Sequence, residues 1–105
     1  LRLRDTIAAS ILDGDYHDGD MLPSVRALAA QEGANPLTVA KAYQCFQDDG
    51  LVLVKRGVGM FVAEGATRRL REAERRRFLE DSWPPVADQI RRLGISADEL
   101  GLRLA

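Results

Sequence analysis

Between residues 24 and 46 the chain carries a small residue, a glycine and a β-branched residue at fixed offsets: Ala29, Gly33 and Val39, at 0, 4 and 10. Two helices that cross steeply need a small side chain at their closest approach. They need glycine where the joining turn goes left-handed, and an apolar residue where the second helix seats on the first. The spacing therefore predicts a helix-turn-helix, although a generic α-hairpin fits the same three positions.

The flanking residues agree. Ser24 is an N-cap for a short helix whose apolar positions are Val25, Leu28 and Ala29. Asn35 followed by Pro36 starts the next helix, because asparagine caps well and proline suits the first helical position. Val39, Ala42, Tyr43 and Phe46 form its buried stripe, and Gly50 ends it. Upstream, Leu3, Ile7 and Ile11 recur every fourth residue, with Ala8 and Leu12 beside them, so residues 2–13 read as a helix. The chain opens inside that pattern without a cap, so a preceding segment is expected. Residues 14–23 read as a polar loop.

Downstream, Val52-Leu53-Val54 and Met60-Phe61-Val62 flank Lys55-Arg56-Gly57-Val58-Gly59, a hairpin with a glycine-bearing tip. Past Gly65 the composition becomes charged and helical. Leu79, Trp83, Val86, Ile90 and Leu93 are spaced 4, 3, 4, 3, a heptad-like apolar seam that passes through Pro84-Pro85. Proline lacks the backbone donor and disfavours helix in the residue before it, so a kink or restart is expected near Trp83. Ser96-Ala97-Asp98-Glu99 is a capping box for a last helix over 97–104, with Leu100 and Leu104 facing inward. The fold class is mainly α with a small β-hairpin. Residues 1–65 form a winged helix-turn-helix domain and residues 66–105 a helical tail.

Composition excludes several functions. One histidine and one cysteine, His17 and Cys45, cannot make a four-ligand zinc site or an internal disulfide. There is no Ser–His–Asp set and no phosphate-binding glycine loop before a helix, so neither an enzyme nor a cofactor is expected. No apolar run approaches the about 18 residues of a membrane span, and no signal peptide opens the chain. A reducing, cytoplasmic setting is the expectation. Residues 1–65 hold six basic and nine acidic residues. A nucleic-acid role thus requires a few well-placed cations rather than a basic surface.

Four ordered segments resemble the GntR family of transcription regulators. They are Gly19-Asp20-Met21-Leu22-Pro23-Ser24-Val25-Arg26-Ala27-Leu28-Ala29, Thr38-Val39-Ala40-Lys41-Ala42-Tyr43, Asp49-Gly50-Leu51-Val52 and Arg56-Gly57-Val58-Gly59-Met60-Phe61-Val62. The short remainder, Asn35-Pro36-Leu37-Thr38-Val39 and the segment Leu93-Gly94-Ile95-Ser96-Ala97-Asp98-Glu99-Leu100 are similar to the YtrA-type branch. The resemblance implies a winged helix that binds operator DNA as a homodimer, with C-terminal helices serving dimerisation. Two positions depart from the pattern: Pro36 and Ala40 stand where many relatives are basic, and Met60 replaces the usual wing threonine.

The resulting reading is a repressor on an inverted-repeat, double-stranded operator. The recognition helix, about 35–48, lies in the major groove and the wing, 55–60, near the minor groove. Thr38 and Lys41 face away from the buried stripe toward bases or phosphate, and Leu37 offers an apolar base contact. Asn35, Ser24 and Arg26 sit at helix starts, where free N–H groups favour phosphate. Lys55, Arg56, Gly57 and Gly59 make the wing. Leu79, Trp83, Val86, Ile90 and Leu93 form the dimer interface. A small-molecule effector seated between domain and tail would act by changing the spacing of the two recognition helices. The competing reading is a winged-helix protein-interaction module without DNA binding.

Overall fold

The computed structural model describes residues 2–105, with the side chain of Arg2 left aside. The order of elements is α1 (Arg2–Leu12), α2 (Val25–Glu32), α3 (Pro36–Asp48), β1 (Val52–Lys55), β2 (Gly59–Val62), α4 (Ala66–Arg77), a π-helical turn (Phe78–Ser82), α5 (Trp83–Leu93) and α6 (Ala97–Leu104). Two compact units result, Leu1–Arg71 and Glu72–Ala105.

In the first unit, the helix-period positions of α1 and α3 meet in one core. Ile7, Ala8 and Ile11 pack with Val39, Ala42, Tyr43 and Phe46, and with Leu22, Leu28 and Ala29. Each large apolar side chain buried this way contributes about 1.5–3 kcal/mol. The strands close the core from one side through Val52 and Val62, which are paired directly across the hairpin. The unit extends six residues beyond Gly65 because Ala66 and Leu70 of α4 are buried in it.

The loop over residues 14–23 is more ordered than its polar composition suggests. Its last residues form a third edge against β2. The Leu22 N–H donates to the Met60 carbonyl (2.8 Å), the Val62 N–H to the Asp20 carbonyl (2.9 Å) and the Gly19 N–H to the Val62 carbonyl (2.8 Å). Asp18, earlier in the same loop, caps α4 from 47 and 49 residues away. Its carboxylate accepts from the Gly65 N–H (2.8 Å), the Thr67 N–H (3.1 Å) and the Thr67 hydroxyl (2.7 Å). Those bonds, the Thr67 hydroxyl foremost, hold its carboxyl below the usual aspartate value.

In the second unit the restart expected near Trp83 takes the form of a π turn. The Trp83 N–H donates to the Phe78 carbonyl, five residues back. Pro84 and Pro85 explain it: in an α-helix their rings would press on the carbonyls of Glu80 and Asp81, and a wider turn relieves that. Helix α5 ends in a Schellman motif at Gly94, with the Ile95 N–H donating to the Ile90 carbonyl (3.1 Å) and the Gly94 N–H to the Arg91 carbonyl (3.2 Å). Ser96 caps α6 by accepting from the Glu99 N–H (3.2 Å). Within α6, Leu100 is half-buried. Leu104, expected to face inward, is exposed, as is Leu102. Leu100 is thus the one residue of α6 that is partly sheltered.

Candidate nucleic-acid interface

The three residues that predicted a helix-turn-helix occupy their expected places. Ala29 and Val39 are buried, and Gly33 sits in the left-handed region at φ 63°. There the Ala34 N–H donates to the Ala29 carbonyl (2.9 Å), which closes α2 and turns the chain into α3. A side chain at Gly33 would be strained by about 1–2 kcal/mol.

Both helix starts are held by their own caps. The Ser24 hydroxyl accepts from the Ala27 N–H (3.1 Å), and the Asn35 amide oxygen accepts from the Leu37 N–H (2.8 Å). The side-chain oxygens of Ser24 and Asn35 are therefore occupied in setting the helices. What they present outward is helix polarity rather than a free acceptor.

Helix α3 divides cleanly. Val39, Ala42, Tyr43 and Phe46 face the core. The opposite stripe, spaced 4, 3, 4, is Leu37, Lys41, Gln44 and Asp48, and all four are exposed. Thr38 lies on its flank, also exposed. Gln44, not anticipated as a surface determinant, follows from the same periodicity; its amide donates to the Asp48 carboxylate (2.9 Å). The C-terminal half of the stripe is thus an amide–acid pair, and its cationic and apolar groups sit in the N-terminal half.

Tyr43 is a core residue, only 2% exposed, and its hydroxyl donates to the Pro23 carbonyl (2.7 Å). Burial pushes its ionisation up to about 12. That bond ties the start of α2 to the back of α3, so the two helices are aligned by one buried hydroxyl.

The hairpin pairs Val52 with Val62, Leu53 with Phe61, Val54 with Met60 and Lys55 with Gly59, leaving Arg56, Gly57 and Val58 as the tip. The Val58 N–H donates to the Lys55 carbonyl (2.9 Å), and Gly57 adopts φ 78°. Arg56 and Val58 are exposed there. Lys55 lies over the Phe61 ring, with its Nζ 4.6 Å from the ring centre. A shallow groove of about 490 Å³ joins Ser24 to Lys55, Arg56, Gly57 and Gly59, so the start of α2 and the wing share one surface. Arg26, Lys41 and Arg56 enter no ion pair among the described residues. Two acids are engaged elsewhere: Asp18 caps α4 and Asp20 holds the His17 N–H (2.8 Å).

In the second unit, the seam residues Leu79, Trp83, Val86 and Leu93 are exposed and Ile90 is half-buried. Phe78, not assigned to the seam by its spacing, packs its ring against Trp83 at 6.5 Å. The π turn brings these two aromatics together. No group of three or more potential metal ligands exists among the described residues, and no described helix is long and apolar enough to cross a membrane.

The family described as "Bacterial regulatory proteins, gntR family" matches residues 1–62. The HTH-type transcriptional repressor YtrA of Bacillus subtilis is 36% identical over 93 residues, which is 89% of this chain and 65% of that protein. The chain therefore spans about two thirds of that relative's length. The uncharacterized HTH-type transcriptional regulator YhcF of the same organism is 32% identical over 102 residues, 95% of this chain and 81% of that protein. The crystal structure of a putative GntR-family regulator from Bacteroides thetaiotaomicron superposes with a TM-score of 0.73 at 33% identity, covering 99% of this chain and 91% of that one.

Proposed function

The chain belongs to the GntR family of bacterial regulatory proteins, and on that premise we propose that it is a cytoplasmic, homodimeric repressor that reads an inverted-repeat operator. Its relatives are transcription regulators rather than enzymes. The N-terminal half of α3 enters the major groove, with Thr38 and Lys41 toward bases and phosphates. Ser24 and Arg26 at the start of α2 and Asn35 at the start of α3 set the helix ends against the backbone. Lys55, Arg56, Gly57 and Gly59 lie along the adjacent minor groove. The observation that carries this reading is the composition of the exposed face. Its three uncommitted cations, Arg26, Lys41 and Arg56, lie on the helix-turn-helix and the wing.

The seam of Leu79, Trp83, Val86, Ile90 and Leu93, exposed except for the half-buried Ile90, supports a twofold contact between two copies, residues 66–105 acting as the dimerisation tail. Two recognition helices about 34 Å apart would then meet successive major grooves. Promoter occlusion is the mechanism, and a small-molecule effector that alters the helix spacing is the release it calls for.

The test is fluorescence anisotropy on DNA from upstream of the gene encoding this chain, with a scrambled duplex as control. Wild type should prefer the native duplex, and Thr38→Ala/Lys41→Ala should lose that preference. Equal binding to scrambled DNA would overturn the recognition surface. Absence of DNA binding would favour the interaction-module reading, with the seam docking another protein.

A further inference from the structure

We propose that Leu37 reads the C5-methyl group of a thymine in each half-site, a specificity role that rests on α3 being the helix that enters the groove. Leu37 is 72% exposed, at the second position of α3. At about 100° per residue, the mean direction of Val39, Ala42, Tyr43 and Phe46 lies opposite Leu37 to within about 10–20°. Leu37 is therefore the residue aimed most directly away from the core, in the turn that contacts base edges in helix-turn-helix docking.

Its chemistry selects its partner. A leucine side chain neither donates nor accepts a hydrogen bond. The apolar feature on a major-groove edge is the thymine methyl; the remaining features there are donors and acceptors, which an apolar group would desolvate without compensation. The neighbours do not take that role. Thr38 lies about 100° round the helix, and Ala40, about 60° off, ends at Cβ. Lys41 follows on the same stripe about 6 Å along the axis. Gln44 is held by Asp48, which leaves base reading to this first stretch of the helix.

The role has a signature that a phosphate contact lacks. Burying a methyl group releases no counterions, so its contribution is the same at low and high salt.

The experiment starts from duplexes selected by the wild-type chain from a randomised pool. Each thymine of the enriched site is replaced singly by deoxyuridine, which removes the methyl and nothing else. Wild type should lose about 3- to 5-fold in affinity at one thymine per half-site. That loss should be equal at 50 and 200 mM salt. Leu37→Ala should be weaker on the parent site and indifferent to the same replacement. Its urea midpoint should match wild type, since Leu37 is 72% exposed and alanine favours helix. Indifference of wild type to every replacement, with the selected site still preferred over scrambled DNA, would overturn the role of Leu37 and leave the operator reading standing. Equal sensitivity of Leu37→Ala and wild type would assign the methyl to another residue and also overturn it. Failure to enrich any sequence would remove the operator reading and this inference together.

Discussion

The salt dependence of DNA binding follows from a count of placed cations. Arg26, Lys41, Lys55 and Arg56 are the exposed cations of the helix-turn-helix and wing. Two bound copies then neutralise about eight phosphates, which gives a slope of log K against log salt of about −7. Affinity should fall about 10⁴-fold between 50 and 200 mM salt. Arg56→Ala removes two of those contacts, one per copy, and should flatten the slope to about −5.5. The gap between wild type and variant should accordingly narrow about tenfold over the same range. The fold should be unaffected, because Arg56 sits on the exposed hairpin tip and enters no ion pair among the described residues. Anisotropy titrations at four or five salt concentrations measure both slopes. A wild-type slope shallower than about −3 would refute the phosphate count. A slope unchanged by Arg56→Ala would take the wing off the DNA backbone.

Three further outcomes test the frame behind that surface. Tyr43→Phe removes the hydrogen bond to the half-buried Pro23 carbonyl, and urea unfolding should show a loss of about 0.5–1.5 kcal/mol with an unchanged m-value. In the wild type, where Tyr43 ionises only near pH 12, the stabilisation is complete below the ordinary tyrosine value of 10.0 and declines as pH rises toward about 12; Tyr43→Phe should flatten that decline. Asp18 has the opposite sign: its folded value lies below the ordinary 3.8, so its contribution is present above that pH and is lost as pH falls through the lowered value. The urea midpoint should therefore drop on acidification below pH 4, and Asp18→Ala should remove part of that dependence while lowering the midpoint at pH 7. Leu79→Asp or Ile90→Asp places a charge on the apolar seam and should yield monomers by light scattering with weaker operator binding; dimers from both variants would take the seam out of the interface.

Where a structural cause lies within one turn of its effect, the residues announced it. The caps Ser24 and Asn35, the left-handed Gly33 and the buried stripe of α3 each follow from spacings of two to four residues. The apolar seam announced itself in the same way, and so did the disturbance at Pro84-Pro85, but not its form. A π turn and a sharp kink both relieve a proline clash, and choosing between them depends on how Phe78 and Trp83 pack. The features that carry no local signal join distant parts of the chain. Asp18 caps a helix that begins 48 residues later, and nothing around it separates a capping aspartate from a solvated one. Asp20–Leu22 pairs with β2 through backbone atoms, which every sequence possesses, so the polar composition of the loop before it concealed a third edge. The exposed face of α3 falls between these cases. Its geometry was periodic and legible, down to Gln44 three residues beyond Lys41. What that face binds depends on which side chains remain uncommitted once the fold has formed. Lys41 stays without an ion-pair partner among the described residues, whereas Gln44 is taken by Asp48 and Lys55 leans on Phe61. If α3 enters the groove, the base-reading chemistry of that helix is therefore narrower than its roster of polar residues and is concentrated at Leu37, Thr38 and Lys41, with Arg26 and the wing left to the backbone.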